Sequence, residues 1–551
     1  MLFKSLAADV PDAQLPDDMT VAQFMLDSTN ALRGAPPDGP WLIDSVSGRS
    51  YTVAEVKSRV TGLANALARR GVGEDDVVCI FSPNTIDYPV AVWACHRVGA
   101  IVSPANPSYT KSELVYQLEL VAARLIITHP SSLKVAADAA DEIGLTINAI
   151  VVNGRDAPHI YAQVEDLIQE GSREPPAYAE RRLQPGEAKK KLAFLSFSSG
   201  TTGKPKAVAI PHYAPISNAV QIAAFNRKPD GTLGRYKPGQ TTLAVLPMYH
   251  IYCLVVVLHA SLFCGHRVVI MEKFEHEAML KCIVEHRITH LYLVPPQIVL
   301  LCKHPATKKY DLSSVEYTMV GAAPLTADLQ NKCQSLFPNM ALTQGYGMTE
   351  TCTVVTMAPY HWGNRAVTGC AGHMVCNTEA RVVKPDGSLG GYGDTGELHV
   401  RGPQMALAYY KNEAATKETF EDGWVKTGDI VQIHENGDFF VVDRVKEFLK
   451  VGGFQVAPAE LEGHILGHTD VADTPVAYVV LTPDAQDRAK RHADQTTASI
   501  MKFVADHKVK YKHLHAVKFI DAVPKTPSGK ILRRVLRDRA HVDFGVIKSK
   551  L

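Results

Sequence analysis

A loop rich in glycine, hydroxyl and lysine residues follows an apolar run near the middle of the chain. Residues 192–206 read LAFLSFSSGTTGKPK, so residues 192–197 lead directly into the segment SSGTTGKPK at 198–206. Glycines let backbone N–H groups approach an anion closely, hydroxyls add donors, and lysines add positive charge. The loop is therefore predicted to hold a polyphosphate.

This loop differs from a Walker A loop. That motif places four residues between its glycines and a Ser or Thr after its Lys. Here two residues separate Gly200 from Gly203, and Pro205 follows Lys204. Residues 207–210 are apolar and predict a strand rather than a helix. A flexible surface loop is the alternative interpretation, and the apolar run directly before the loop disfavours it.

Four further segments follow in order along the chain. They are PMYHIY (247–252), QGYGMTE (344–350), KTGDI (426–430) with DRVKEFLKVGGFQVAPAELE (443–462), and PKTPSGKILRR (524–534). Together with SSGTTGKPK, these segments resemble the motifs of AMP-forming adenylating enzymes, a superfamily of acyl-CoA synthetases, nonribosomal-peptide adenylation domains and beetle luciferases. YHIY, GYGMTE and GFQVAPAELE make the chain most similar to the 4-coumarate–CoA ligase-like branch.

The resemblance implies a reaction in two steps. A carboxylate attacks the α-phosphate of ATP and releases pyrophosphate, and a thiol, most often that of coenzyme A, then takes the acyl group from the adenylate. Because two anions meet in the first step, the site must neutralise developing negative charge. ATP, Mg²⁺, coenzyme A and a small carboxylic acid are therefore the expected reactants and cofactors.

The resemblance also assigns roles around the nucleotide. Lys530 is expected to bridge the carboxylate and the phosphate, Thr349 to contact the α-phosphate, and Glu350 to bind Mg²⁺, which prefers oxygen ligands. Ala323 and Tyr346 would flank adenine, and Asp429 and Arg444 would contact the ribose. The residues expected to contact the nucleotide or coenzyme A are Ser198, Ser199, Gly200, Thr201, Thr202, Gly203, Lys206, Ala323, Gln344, Gly345, Tyr346, Asp429, Arg444, Lys446, Gly452 and Gly453.

By the same resemblance, an acid pocket lies beside the histidine of PMYHIY. His250 would stand next to the acyl carbonyl. The expected lining is Tyr252, Val256, Met319, Ala322, Gly345, Gly347 and Val354. This set is mostly apolar with small residues, which suits a flat aromatic or a medium-chain aliphatic acid. It contains no acid or base for an amino group, so amino acids are disfavoured as substrates.

The second step is expected to use a different face of a small C-terminal domain. In the family this domain rotates about a hinge, here Asp443-Arg444, which withdraws Lys530. The rotation brings in the opposite face, which carries Lys450, Phe454 and Gln455 beside the glycines 452 and 453. Those glycines would allow the pantetheine arm close to the backbone.

The pattern of apolar residues predicts an α/β protein of more than one domain. The chain has 551 residues, beyond the size at which a single core stops growing. Short apolar runs such as 77–81, 243–246 and 290–294 alternate with helical stretches. The expected fold is a large domain (1–442) of two stacked α/β sheets plus a small β-barrel subdomain. A small mobile α+β domain (443–551) would follow.

Composition excludes several other classes. The net charge is +1, which argues against a nucleic-acid partner or a broad contact with an anionic membrane. The ten cysteines contain no CxxC pair and predict no structural zinc site. No apolar stretch reaches the length of a transmembrane span. The oligomeric state is left open.

The chain departs from the family pattern in three places. Ala207 replaces the usual Gly after the phosphate loop. Val451-Gly452 replaces a usual Tyr-Lys, which removes a cation that could meet a phosphate of coenzyme A. In HTDVADTPVAYVV (468–480) about a dozen residues are missing at Asp473-Thr474, which predicts that the small domain lacks a strand.

The chain ends in Ser549-Lys550-Leu551. A C-terminal SKL is an address read by the peroxisomal import receptor, so a peroxisomal location is expected.

Two other functions share the motifs. One is a luciferase-like oxidase, although YHIY stands where beetle luciferases carry a His-His-Gly-Phe type sequence. The other is a non-catalytic relative that keeps the fold for binding, which Glu350, Asp429, Arg444 and Lys530 disfavour.

Overall fold

The computed structural model describes most of the large domain and parts of the small one. The described residues are 1–154, 158–198, 205–363, 366–444, 449–451, 454–456, 471–473, 478–507, 513–514, 516–524, 535, 536, 539 and 543.

The first sheet has eight strands and carries the phosphate loop at one end of two of them. In spatial order they are Ala408–Tyr409, Lys206–Pro211, Leu192–Ser198, Ile101–Ala105, Val77–Phe81, Ala123–Thr128, Ile150–Val152 and Ala162–Gln163. The strands from Leu192–Ser198 onward run parallel. Lys206–Pro211 turns back antiparallel to Leu192–Ser198, as a strand following the loop predicts.

The second sheet has seven strands, most of them parallel. In spatial order they are Ala341–Gln344, Tyr317–Val320, His290–Leu293, Thr241–Ala244, Arg267–Ile270, Leu42–Asp44 and Ser50–Tyr51. Val294, Gly321 and Gly345 directly follow three neighbouring strands, and the carboxyl ends of parallel strands meet at one edge of a sheet. That edge receives the residues predicted to line the acid and adenine sites.

Helices cover and separate these two sheets. The α-helices of the large domain are Val21–Asp27, Val53–Arg69, Tyr88–Arg97, Lys111–Val121, Leu133–Glu142, Val164–Arg173, Tyr213–Phe225, Ser261–Phe263, His276–His286, Pro295–Lys303, Ala327–Leu336 and Glu413–Thr419. Tyr88–Arg97 and Tyr213–Phe225 are buried along almost their whole length. They share one apolar cluster with strands of both sheets, so the stacked arrangement predicted for the large domain is confirmed.

One helical segment has an unusually wide turn. Tyr252–Ala260 forms a π-helix of nine residues, continued by Ser261–Phe263. Short 3₁₀ turns occur at Asp12–Gln14, Pro130–Ser132, Ile147–Ala149, Glu187–Lys189, Pro305–Lys309, Thr349–Thr351 and Tyr360–Trp362. π-Helical turns are rare and are frequent at functional sites, and this one carries two of the predicted acid-pocket residues, Tyr252 and Val256.

The third sheet is open, whereas a closed barrel was expected. Its strands are Phe3–Lys4, Glu379–Val383, Thr395–Arg401, Trp424–Ile433 and Phe420–Glu421, with Phe439–Arg444 also paired to Trp424–Ile433. Closure requires the two edges to pair. In the described part of the chain, Phe3–Lys4 pairs only with Glu379–Val383, over two residues, so no barrel forms. A smaller sheet joins Tyr346–Met348, Thr353–Met357 and His373–Met374.

A β-bulge lies at the predicted domain boundary. Asp443 is opposite Ile430, whereas Val441 is opposite Val431, so Val442 is an additional residue in its strand. A bulge leaves one residue unpaired and bends the strand. The strand extends through the predicted hinge to Arg444.

The described part of the small domain contains a hairpin, a three-stranded sheet and a long helix. The hairpin joins Leu449–Val451 to Phe454–Val456. The sheet has the order Val471–Asp473, Tyr478–Leu481 and Lys518–Phe519, and the helix is Pro483–His507. Val471–Asp473 pairs directly with Tyr478–Leu481. Residues 474–477 lie outside the described residues, so the missing strand stays a prediction. Among the described residues, no helix is both long and apolar enough to cross a membrane.

Candidate active site

Two antiparallel strands, Leu192–Ser198 and Lys206–Pro211, lie on either side of the phosphate loop in the sequence. Ser198 and Lys206 are partners across these strands. Ladder bonds of the first sheet therefore hold these two residues beside each other. Ser199, Gly200, Thr201, Thr202 and Gly203 lie outside the described residues.

A buried carboxylate stands beside these two strands. The Ser198 hydroxyl donates a hydrogen bond of 2.9 Å to Glu350 Oε1, and the Tyr409 hydroxyl donates one of 2.7 Å to the same oxygen. Glu350 is 4% exposed. Among the described residues no donor contacts Oε2, so the carboxylate is held by one oxygen and can present the other.

Tyr409 and Lys206 complete this cluster. Lys206 Nζ lies 4.6 Å from the centre of the Tyr409 ring, a distance at which a cation is attracted to an aromatic face. Burial and the neighbouring Glu350 raise the pKa of Tyr409 far above its usual value. The phenol therefore stays protonated and remains a donor to Glu350. Sequence reasoning did not single out Tyr409, since nothing in the AYY segment at 408–410 distinguishes it.

Magnesium is compatible with this arrangement. Within the described ranges, no three His, Cys, Asp or Glu side chains cluster as a metal site. Mg²⁺ is usually held by one or two carboxylates together with substrate phosphates and water. A single anchored carboxylate next to a phosphate loop, with one oxygen turned away from its own donors, fits that requirement. Thr349 lies immediately before Glu350 in the same 3₁₀ turn.

The predicted ribose and adenine residues also meet in the structure. The Tyr346 hydroxyl donates a hydrogen bond of 2.7 Å to Asp429 Oδ2. The Tyr346 ring is stacked on Phe439, with centroids 5.6 Å apart. Arg444 is directly opposite Asp429 across adjacent strands. The structure therefore brings together Tyr346, Asp429 and the backbone of Arg444, as the motif assignments predict.

Gln344 has a different environment from the other nucleotide residues. Its Oε1 accepts a hydrogen bond of 2.7 Å from Leu325 N, and its Nε2 donates to Gln330 at 3.2 Å. Leu325 ends the loop that carries Ala322 and Ala323, and Ala322 has a φ of +68°. The Gln344 side chain thus holds this loop in place, and its predicted contact with the nucleotide stays a prediction.

Four of the predicted acid-pocket residues are buried, whereas Ala322 and Gly347 are exposed. The Tyr252 hydroxyl donates to Met319 O at 3.0 Å. A Cβ atom at Gly345 would lie 2.9 Å from the sulfur of Met319, so only glycine fits there without movement. Tyr252, Val256, Met319 and Val354 are all buried, and Val256 has no exposed surface. His250 begins this segment, and its Nδ1 accepts from Tyr252 N at 3.3 Å.

The predicted residues of the small domain are only partly described. Lys450 and Gln455 are opposite each other in the hairpin. Lys446, Gly452, Gly453 and Lys530 lie outside the described residues, so their assignments stay predictions.

Two family models match the chain. The model of the AMP-binding enzymes matches residues 30–410. The model of the AMP-binding enzyme C-terminal domain matches residues 463–530, and thus extends across the shortened segment.

Curated relatives match over nearly the whole length. The 4-coumarate–CoA ligase 2 of Oryza sativa subsp. japonica is 35% identical over 559 residues, covering 96% of this chain and 94% of that protein. The 4-coumarate–CoA ligase 3 of Arabidopsis thaliana is 35% identical, covering 96% and 92%.

Solved structures have the same fold. The anthranilate CoA ligase AuaEII, in complex with anthranoyl-AMP, has a TM-score of 0.84 at 22% identity, covering 97% of this chain and 99% of that one. ATP-bound MatB from Rhodopseudomonas palustris has a TM-score of 0.79 at 25% identity, covering 95% and 99%.

Proposed function

Because this chain belongs to the family of AMP-binding enzymes, we propose that it is an AMP-forming acid–CoA ligase. It activates a carboxylic acid with ATP to an acyl adenylate and then transfers the acyl group to coenzyme A, releasing AMP. The observation that supports this most directly is the Glu350 carboxylate, anchored by Ser198 at the start of the phosphate loop and by Tyr409. The Tyr346–Asp429 pair on neighbouring elements gives the nucleoside a place beside it.

Different residues of this chain have different roles in the proposed adenylation step. The loop at 198–206 holds the leaving phosphates, and Lys206 adds positive charge. Asp429 accepts hydrogen bonds from the ribose hydroxyls, since a carboxylate has only acceptors. Glu350 would hold Mg²⁺, which would supply neutralisation of the charge on the phosphate oxygens. Lys530 then bridges the attacking carboxylate and the α-phosphate.

The acid is proposed to be aromatic, of the phenylpropanoid type, or a medium-chain aliphatic acid. Two observations support this range. Four of the expected pocket residues are buried, namely Tyr252, Val256, Met319 and Val354, and Gly345 stands where Met319 leaves no room for a side chain. The curated relatives named above are 4-coumarate–CoA ligases.

A panel of acids tests the proposal. Purified full-length protein with Mg-ATP is given cinnamic, phenylacetic, benzoic and C6–C12 fatty acids, with and without coenzyme A. Pyrophosphate and thioester are measured separately. Pyrophosphate and thioester formed in equal amounts with at least one acid are expected. No acid-dependent pyrophosphate with any member would contradict the proposal.

The same panel distinguishes the second candidate, an adenylating enzyme with weak or no transfer to coenzyme A. The short connection between Asp473 and Tyr478 favours it, because a misplacement of about 1 Å on the transfer face can cost roughly a hundredfold in rate. Pyrophosphate release limited to one turnover, with little thioester, would support this candidate. Light emission with luciferin would instead indicate a luciferase-like oxidase. One of the structures similar to this chain is that of the luciferase-like enzyme from the nonluminescent mealworm Zophobas morio.

Val256→Ser is expected to shift acid selectivity toward polar rings. Val256 is packed in the π-helix one turn after Tyr252, and serine is smaller and adds a hydroxyl. Use of hydroxylated cinnamates should rise relative to unsubstituted cinnamate by at most about 10–200-fold, because apolar pockets discriminate weakly by single groups. The ratio of kcat/KM values measures this. An unchanged ratio would mean that Val256 does not line the acid site.

The location is proposed from the C-terminus. Ser549-Lys550-Leu551 should route the protein to peroxisomes through the import receptor. A fluorescent protein fused in front of the intact C-terminus is expected to be punctate and to overlap a peroxisomal marker. The same fusion without Leu551 should be diffuse. Diffuse fluorescence from both would contradict the proposal.

A further inference from the structure

A strained residue follows the turn that carries Thr349 and Glu350. Thr353 has a φ of +103°, in a region that residues with a branched Cβ rarely adopt. The Thr353 carbonyl lies so close to Gly347 that a Cβ atom on residue 347 would overlap the carbonyl oxygen. Such strain persists only where the surroundings enforce it, and it is concentrated at functional sites.

Three contacts hold this strained turn. The Thr353 hydroxyl donates to Ile251 O at 3.2 Å, which ties the turn to the segment that carries His250. The Thr351 hydroxyl contacts Thr353 O at 3.0 Å. Both backbone groups of Val354 are paired with the carboxamide of Asn218, at 3.0 Å in each direction.

The Asn218 carboxamide binds the backbone N–H and C=O of Val354 in the way that a neighbouring strand would. It lies in the helix Tyr213–Phe225, with no exposed surface. Its amide also donates to Gln221 at 3.2 Å, and Gln404 donates to Val354 O at 3.4 Å. A buried polar network whose groups are satisfied is rigid, so this network fixes the position of Val354.

We propose that Asn218 is a positioning residue for adenylation. By clamping Val354, it keeps the strained Thr353 turn in the one arrangement that aims Glu350 at the phosphates. Asn218 touches neither ATP nor the acid and acts through the backbone four residues after Glu350. The inference rests on the proposed function, because it assigns Asn218 to the same adenylation site.

The test compares two buried asparagines that bind backbone groups. Asn218→Leu removes the clamp, and Asn65→Leu is the matched control. Asn65 is 3% exposed, donates to Gly171 O at 2.9 Å and accepts from Ala177 N at 2.6 Å. Acid-dependent pyrophosphate release should fall by about 10–100-fold in Asn218→Leu, with a higher KM for Mg-ATP. Asn65→Leu should lower Tm but leave both kinetic constants within about twofold.

Two variants of Thr353 test the inference even if Asn218→Leu does not fold. Glycine accepts a positive φ without strain. The Tm of Thr353→Gly should therefore fall less than that of Asn65→Leu, whereas its rate of adenylation should fall more. Thr353→Ser keeps the hydroxyl and should retain most of that rate. If the decrease in adenylation rate is proportional to the decrease in Tm across all four variants, the inference is wrong. A wild-type protein that adenylates no acid would instead overturn the proposed function.

Discussion

Glu350→Gln is expected to lower adenylation by about two to three orders of magnitude, the usual scale for losing one preorganised group that stabilises charge. Glutamine has the shape of glutamate, and its carbonyl oxygen can still accept from Ser198 and Tyr409, which contact a single oxygen of Glu350. The variant should therefore keep its fold and lose only the negative charge that we propose binds Mg²⁺. Pyrophosphate release is measured as a function of Mg²⁺ concentration.

Tyr409→Phe is the graded control for this prediction. It removes one of two donors to Glu350 but leaves the carboxylate charged, so adenylation should fall far less, by about tenfold, with a stability cost of roughly 1 kcal/mol for the lost hydrogen bond. Glu350→Gln with near wild-type rates at saturating Mg²⁺ would show that the carboxylate does not bind the cation. Equal losses in both variants would mean that the arrangement of the cluster matters more than its charge.

Lys530→Ala and Lys450→Ala are expected to separate the two half-reactions. Lys530→Ala should lower adenylation by about two to three orders of magnitude, while synthetic acyl adenylate is still converted to thioester. Lys450→Ala should show the opposite pattern, as should Gln455→Ala, because Lys450 and Gln455 are opposite each other on one hairpin. Pyrophosphate release and thioester formation from the adenylate are assayed separately.

The control for this pair is Lys502→Ala. Lys502 lies in the helix Pro483–His507 and is paired with Asp506 on its exposed surface. Surface pairs of this kind contribute little to stability, so both half-reactions should be unchanged. If every lysine variant damages both half-reactions equally, the small domain does not use two faces.

The motifs led to candidate site residues because their chemistry is local. Glycines, hydroxyls and lysines in one loop predict a phosphate site without knowledge of the fold, and the structure pairs the strands on either side of that loop. Asp429 and Tyr346 were assigned by resemblance from separate segments, and they meet at 2.7 Å. Alternating apolar runs likewise predicted the α/β class, because short apolar runs separated by helical lengths are typical of it.

Other features depend on contacts between distant segments. Tyr409 and Asn218 have ordinary neighbours in sequence, and their roles arise only where the chain returns to Glu350 and Val354. The closed barrel was wrong because closure depends on whether edge strands pair, which no local pattern encodes. The composition of the nine-residue π-helix would also suit an α-helix, so its sequence does not predict a π-helix.

The bulge at Val442 gives the domain boundary a mechanical meaning. Before it, Phe439 is buried in the third sheet, as is Val431 of the neighbouring strand, so this part of the strand is firmly anchored. After it, the described part of the strand consists of Asp443 and Arg444, paired opposite Ile430 and Asp429. If the small domain rotates here, as the family resemblance implies, that motion would separate two rungs without loosening the core behind them. A covalent link across the Asp429–Arg444 rung would then act as a brake on the expected exchange between half-reactions.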